Sequence, residues 1–174
     1  MDVNASEIAH VPVNYKTVKF DDVANKVDIN VDRTTTSLDR YVAGEHIRTD
    51  DLRITEWGNI GKDYLGPAFY KMFKAGQILY LSRNPHLRKV AVPSFDGICA
   101  NTTFVIEPSG EELLSELLAF VLQSSSFTEH AIRESKGSTN PYVNWKDIAK
   151  FTFQIPSNLG DQRKSCLTIT ASEN

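Results

Sequence analysis

Short apolar runs separated by polar turns set the pattern of this chain, and the sharpest of them lie between Phe73 and Phe104. Ile78–Leu81 and Val90–Val92 are apolar runs of strand length, while Arg83, Asn84, His86, Arg88 and Lys89 crowd the polar segment between them. The pattern predicts two strands joined by a basic loop. A loop of that kind, held on a rigid pair of strands, presents cations and hydrogen-bond donors to something anionic.

The remaining pattern predicts an α+β protein. Residues 1–14 lack periodicity and read as a loose leader. Val18, Phe20 and Val23 predict a strand entering a helical turn capped by Asp21 or Asp22. Residues 25–36 alternate polar and β-branched positions, and Tyr41–Gly44 reads as a strand closed by glycine. Leu52–Trp57 is expected to be another strand, followed by a loop punctuated by Gly58, Gly61 and Gly66. Phe73–Gln77 should turn the chain into the basic-loop strands, and Asp96-Gly97 matches a tight turn on their far side. After a strand over Thr102–Ile106, Ser109 and Glu112 have the spacing of a capping box, and Leu113, Leu114, Leu117, Leu118 and Val121 share one helical face. Ser126 and Glu129 repeat that spacing ahead of a shorter helix expected to stop at Gly137. Asn144 with Asp147 opens one turn around Trp145, and Phe151–Ile155 alternates as a last strand ended by Pro156. The expected architecture is a single domain with a twisted, mainly antiparallel sheet covered by short helices and its binding loops on one side.

Composition adds little, since 174 residues with 41% hydrophobic and 24% charged positions describe an ordinary globular domain. No apolar run reaches the ~18 residues of a membrane helix, and the polar, acidic N-terminus is unlike a secretory signal, so a cytoplasmic protein is expected. Cys99 and Cys166 lack metal or redox spacing; Cys99 is expected to be buried and Cys166 exposed and incidental. Asn101-Thr102-Thr103 matches a glycosylation sequon, which without a secretory route is a chance match.

Charge changes the picture more. The net charge of −3 conceals segregation: residues 62–90 carry six basic side chains and one acidic, whereas residues 91–129 carry six acidic and none basic. Residues 130–150 are basic again by four to two, with Lys136, Ser138, Thr139 and Asn140 around Gly137. Such segments are ordinarily solvated faces, but two of them can also converge into one surface.

Catalytic patterns are missing. The glycines do not form a phosphate loop or a dinucleotide fingerprint. His46 has no histidine or cysteine at ligand spacing, so a surface or packing role is expected. Asp50-Asp51 and Glu111-Glu112 are adjacent pairs whose side chains diverge, which suits neither a metal nor a nuclease site. Asn140-Pro141-Tyr142 lacks one proline of the motif used by amino-methyltransferases, and no S-adenosylmethionine loop precedes it. No cofactor, metal or catalytic residue is expected. The basic segments fit binding better, because arginine forks match phosphate and guanine edges while hydroxyls and amides bond to phosphates and bases.

Taken together, FKAGQILYLSRNPHLRKVAVPSFDGICANTTFVIEP and KGSTNPYVNWKDIAKFTFQIP resemble the target recognition domain of type I restriction-modification specificity subunits. The first is similar to that family's Gly-Asp or Gly-Gln pair, Ile-Leu strand, arginine-rich turn, Asp-Gly turn and further strand. The second is similar to its Gly-Ser-Thr turn, short helix and strand ending in Ile-Pro. Tyr41–Ile47 resembles the family's early strand, so the likeness spans residues 15–156. It implies a non-catalytic reader of double-stranded DNA within a restriction system. Arg83, Asn84, His86, Arg88, Lys89, Lys136, Ser138, Thr139 and Asn140 would face one half of a split DNA site. DNA methyltransferase subunits would supply S-adenosylmethionine and methylate adenine, and a restriction motor subunit would join indirectly. Leu159–Lys164 resembles the opening of the family's spacer helix, whereas Ser165–Asn174 loses helical periodicity, so residues 157–174 are expected to be a truncated spacer start and tail. An interaction or regulatory half subunit, binding methyltransferase or DNA without supporting modification, is the alternative expectation.

Overall fold

Period-two alternation sends neighbouring side chains to opposite faces, and Ile78–Leu81 is apolar at every position, so this strand must be covered on both sides. The computed structural model, which describes residues 12–172, shows how. The central sheet contains β2 (Ala24–Val27), β6 (Ile78–Leu81), β7 (Val90–Ala91) and β9 (Thr103–Pro108) in the order β2-β9-β6-β7, all antiparallel. Ile78, Tyr80, Val90 and Ile106 face the helices α2 (Ser115–Gln123) and α3 (Ser125–Glu134). Leu79, Ala91 and Val105 face a second sheet and meet Val42, Phe73 and Cys99 there.

That second sheet has the order β4-β3-β8-β5, from β3 (Arg40–Val42), β4 (Gly58–Asn59), β5 (Phe69–Phe73) and β8 (Gly97–Ala100). Its β3 and β8 run parallel, and its other pairs are antiparallel. A third, two-stranded sheet joins β1 (Tyr15–Lys19) to β10 (Thr152–Pro156), with Tyr15 opposite Pro156. The turn α1 (Phe20–Val23) follows β1 and drives Phe20 between Phe127 and Trp145, with ring centroids at 5.6 and 5.4 Å. The class is α+β and mainly antiparallel, but the strands divide over three sheets instead of one.

Several local expectations are corrected by longer-range contacts. Leu52–Trp57 joins no ladder; Val92 N–H donating to the Leu52 carbonyl at 2.7 Å ties it to the central sheet. The Asp96-Gly97 pair does not make a hairpin, because the chain there crosses from β7 in the central sheet to β8 in the second. Gly97 is needed for close approach, since an added Cβ would lie 2.6 Å from the Phe73 ring and 2.7 Å from the Arg40 carbonyl oxygen. Asp96 instead accepts from Ala75 N–H at 2.8 Å and steadies the β5–β6 turn, where Gly76 has φ +85°.

Helix starts also move. Lys19, not Asp21 or Asp22, occupies the cap position of α1. The Ser109–Glu112 box does not form: the Ser109 hydroxyl donates to the Asp22 carbonyl at 3.0 Å and α2 begins at Ser115. Ser124, not Ser126, caps α3 by accepting from Phe127 N–H at 3.2 Å, and that helix ends at Glu134, before Gly137. Of the Asn144–Asp147 box one arm forms: the Asp147 carboxylate accepts from Asn144 N–H at 3.4 Å, while Asp147 N–H goes to the Asn144 backbone carbonyl at 3.0 Å, and α4 (Trp145–Ile148) opens there. The last helix, α5 (Leu159–Ser172), continues through the stretch expected to lose periodicity, and Cys166 is half-buried against the core rather than exposed. The leader expected over residues 1–14 lies, up to residue 11, outside the described residues. Among the described residues, no helix is long and apolar enough to cross a membrane.

Candidate nucleic-acid interface

Ser82 is where the basic loop leaves the central sheet, and it tolerates burial because both of its backbone groups and its hydroxyl are hydrogen-bonded. Its N–H and hydroxyl donate to the Thr102 carbonyl at 3.3 and 2.5 Å, and its carbonyl accepts from Val143 N–H at 3.0 Å. That last bond brings the second basic segment alongside the first. Arg83 then bridges to Tyr142, with the guanidinium carbon 5.6 Å from the ring centroid. Asn84 N–H donates to the Pro141 carbonyl at 2.7 Å, and the Asn84 amide donates to the Asn140 side-chain oxygen at 2.8 Å.

Between Asn84 and Arg88 the chain makes one 3-10 turn over Pro85–Leu87. Proline suits its first position because that N–H would lack a helical acceptor. Asn84 (φ 53°) and Arg88 (φ 47°) lie in the left-handed region at its two ends, so the chain enters and leaves sharply and projects the exposed His86 and Leu87 at the tip. Arg88 donates to the Asp50 carboxylate at 2.8 Å. Lys89 reaches inward and donates to the Gly44 carbonyl at 2.7 Å, which spends its ammonium largely on the scaffold.

The companion segment is a small hairpin closed by Lys136 N–H donating to the Tyr142 carbonyl (2.8 Å) and Tyr142 N–H donating to that of Lys136 (2.9 Å). Gly137, at φ +89°, permits the turn, and Ser138, Thr139 and Asn140 are exposed on it. The Lys136 ammonium pairs with the buried Asp147 carboxylate at 3.3 Å, and Lys150 approaches the same group at 3.9 Å. Burial acts to raise the Asp147 pKa, but the hydrogen bond and charge of Lys136, the Asn144 N–H and Lys150 together hold it below the ordinary carboxylate value. His130 donates from Nε2 to the Asp147 carbonyl at 2.8 Å, fixing the same corner from α3.

All nine residues singled out from the sequence therefore lie on two adjoining segments. Arg83, His86, Lys136, Ser138, Thr139 and Asn140 are exposed, and Asn84, Arg88 and Lys89 are half-buried. Three further participants, Thr49, Asp50 and Tyr142, were not among them. Tyr142 stands in the Asn-Pro-Tyr sequence and Asp50 in the Asp50-Asp51 pair, whose spacings point to other chemistries. His46 packs, with Nδ1 accepting from Ala43 N–H at 2.9 Å. Among the described residues no three His, Cys, Asp or Glu side chains gather to hold a metal ion. Arginine forks, hydroxyls, amides and an aromatic ring on one face can bond to phosphate oxygens and base edges.

Residues 5–171 match the family described as Type I restriction modification DNA specificity domain. The chain is 26% identical over 153 residues to the type I restriction enzyme EcoDI specificity subunit of Escherichia coli, covering 86% of this chain and 33% of that protein. It thus spans about one third of that relative's length. Its fold resembles the HsdS subunit from Thermoanaerobacter tengcongensis, with TM-score 0.76 and 21% identity over 90% of this chain and 41% of that one. A chain from a structure on complex assembly and conformational transition of the type I R-M system gives TM-score 0.79 and 20% identity, covering 93% of this chain and 43% of the other. With the family match running over nearly its whole length, the chain belongs to the type I restriction-modification DNA specificity domain family.

Proposed function

We propose that this chain binds duplex DNA sequence-specifically as a target recognition domain, directing partner methyltransferase and nuclease subunits to one half of a split site. The observation that carries this reading is the joining of two basic segments into one face by the Asn84–Asn140 and Asn84–Pro141 hydrogen bonds. Arg83, Arg88 and Lys136 supply cations, and Ser138, Thr139 and the two asparagines supply neutral donors and acceptors. Catalysis belongs to the partner subunits, and α5, with Leu167 exposed, is the element from which contact with them would extend.

The test is fluorescence anisotropy with the 174-residue chain, using random and selected duplexes across a salt series. The expected result is affinity that falls steeply with salt, as release of counterions requires, together with a sequence preference selectable from a random pool. Arg83→Ala should weaken binding to a selected duplex by about 1–3 kcal/mol. Absence of binding to any duplex at low salt would overturn the proposal.

A further inference from the structure

Asp50 and Arg88 come from segments 38 residues apart and meet in one ion pair, Nη2 to Oδ2 at 2.8 Å. The two loops are tied together beside it. Thr49 forms a β-bridge with Lys89, and the Thr49 hydroxyl donates to the Leu87 carbonyl at 2.8 Å. Among the described residues, the non-glycine positions with positive φ are Asp50 (58°), Asn84 (53°) and Arg88 (47°), and all three sit on this face. A solvent-accessible ion pair returns less free energy than a left-handed arginine costs, so the ion pair by itself does not account for the Arg88 conformation. Strain of this kind is characteristic of sites where side-chain direction matters.

A carboxylate is also the wrong group for a surface that only grips phosphates, which it repels. It suits the floor of a groove, where it can accept from a cytosine amino group and orient a neighbouring guanidinium. The bond to Asp50 uses one of the five N–H donors of Arg88, leaving a fork whose geometry matches guanine O6 and N7. Resting on the DNA-binding reading above, we propose that the Arg88–Asp50 pair reads one G·C base pair, with Asp50 as a specificity-determining residue that orients Arg88.

The experiment is selection of bound duplexes from a random pool by the full chain and by its Arg88→Ala, Arg88→Lys and Asp50→Asn variants, each first checked for an unchanged thermal melt. The wild-type chain should select guanine at one position. Arg88→Ala should lose that preference and bind the selected duplex about 5- to 150-fold more weakly. Arg88→Lys should keep the salt dependence but lose the guanine, because an ammonium lacks the fork. Asp50→Asn should relax that same position while preferences elsewhere persist. If Asp50→Asn selects the same sequence as the wild type, Asp50 is only a tether and the inference is overturned. If Arg88→Ala weakens every duplex equally, Arg88 is a phosphate contact and it fails likewise. In both of those outcomes DNA binding itself survives, whereas a wild-type chain that retains no duplex overturns both proposals.

Discussion

The side-chain amide of Asn84 donates to the side-chain oxygen of Asn140 at 2.8 Å, across 56 residues of sequence. The same Asn84 uses its backbone N–H on the Pro141 carbonyl at 2.7 Å, so one residue fastens the basic loop to the Lys136–Tyr142 hairpin twice. A double-mutant cycle on Asn84→Ala and Asn140→Ala should therefore be non-additive by about 0.5–1.5 kcal/mol in urea unfolding. Simple additivity would mean the two segments are held independently.

Asp147 links the candidate interface to acid stability. Its pKa lies below the unfolded value of 3.8, so its contribution is fully present above that value and is lost as pH falls through the lower, folded pKa. Asp147→Asn should flatten stability against pH below about 4. Lys136→Ala removes the main group that holds the carboxyl ionised, and should shift the acid transition to higher pH. Circular dichroism at stepped pH reads both effects.

Gln162 is fully buried and pins α5 to the rest of the fold. Its side-chain oxygen accepts from Leu114 N–H at 2.9 Å, and its amide donates to the Glu112 carbonyl at 2.8 Å and to that of Pro156 at 3.1 Å. Gln162→Ala would strand these backbone groups away from water. It should cost about 2–4 kcal/mol by urea unfolding, with faster hydrogen exchange in α5.

The two thiols should separate kinetically. Burial pushes Cys99 up to about 12, with Lys71 acting weakly in the other direction. Cys166 is also raised by burial, then by Glu116, but it remains half-buried on α5. Titration with a thiol-reactive dye near pH 8 should label Cys166 first and reach Cys99 only at the rate of unfolding. Equal rates would show that the Cys99 layer between the two sheets opens locally.

Local chemistry made much of this fold legible in advance. The apolar runs Ile78–Leu81 and Val90–Val92 mark β6 and β7, and Asp147 caps the Asn144 N–H within four residues. Where a distant partner competed with a local signal, the sequence misled. Ser109 and Glu112 had the right spacing for a cap, but the Ser109 hydroxyl found the Asp22 carbonyl, a partner 87 residues away. Residues 165–172 lack a marked apolar stripe, yet they continue a helix already begun at Leu159, because propagation costs less than nucleation.

By itself the sequence determined which residues were basic, where the strands carrying them began, and which helical turn would cap itself, since those depend on neighbours a few positions apart. Only the tertiary structure decided that β7 and β8 belong to different sheets, that Val143 hydrogen-bonds to Ser82, and that Asp50 meets Arg88. The last two pairings join segments 61 and 38 residues apart in the chain, and all three outcomes are chosen by how the apolar faces of two sheets and their helices pack, which no local spacing encodes.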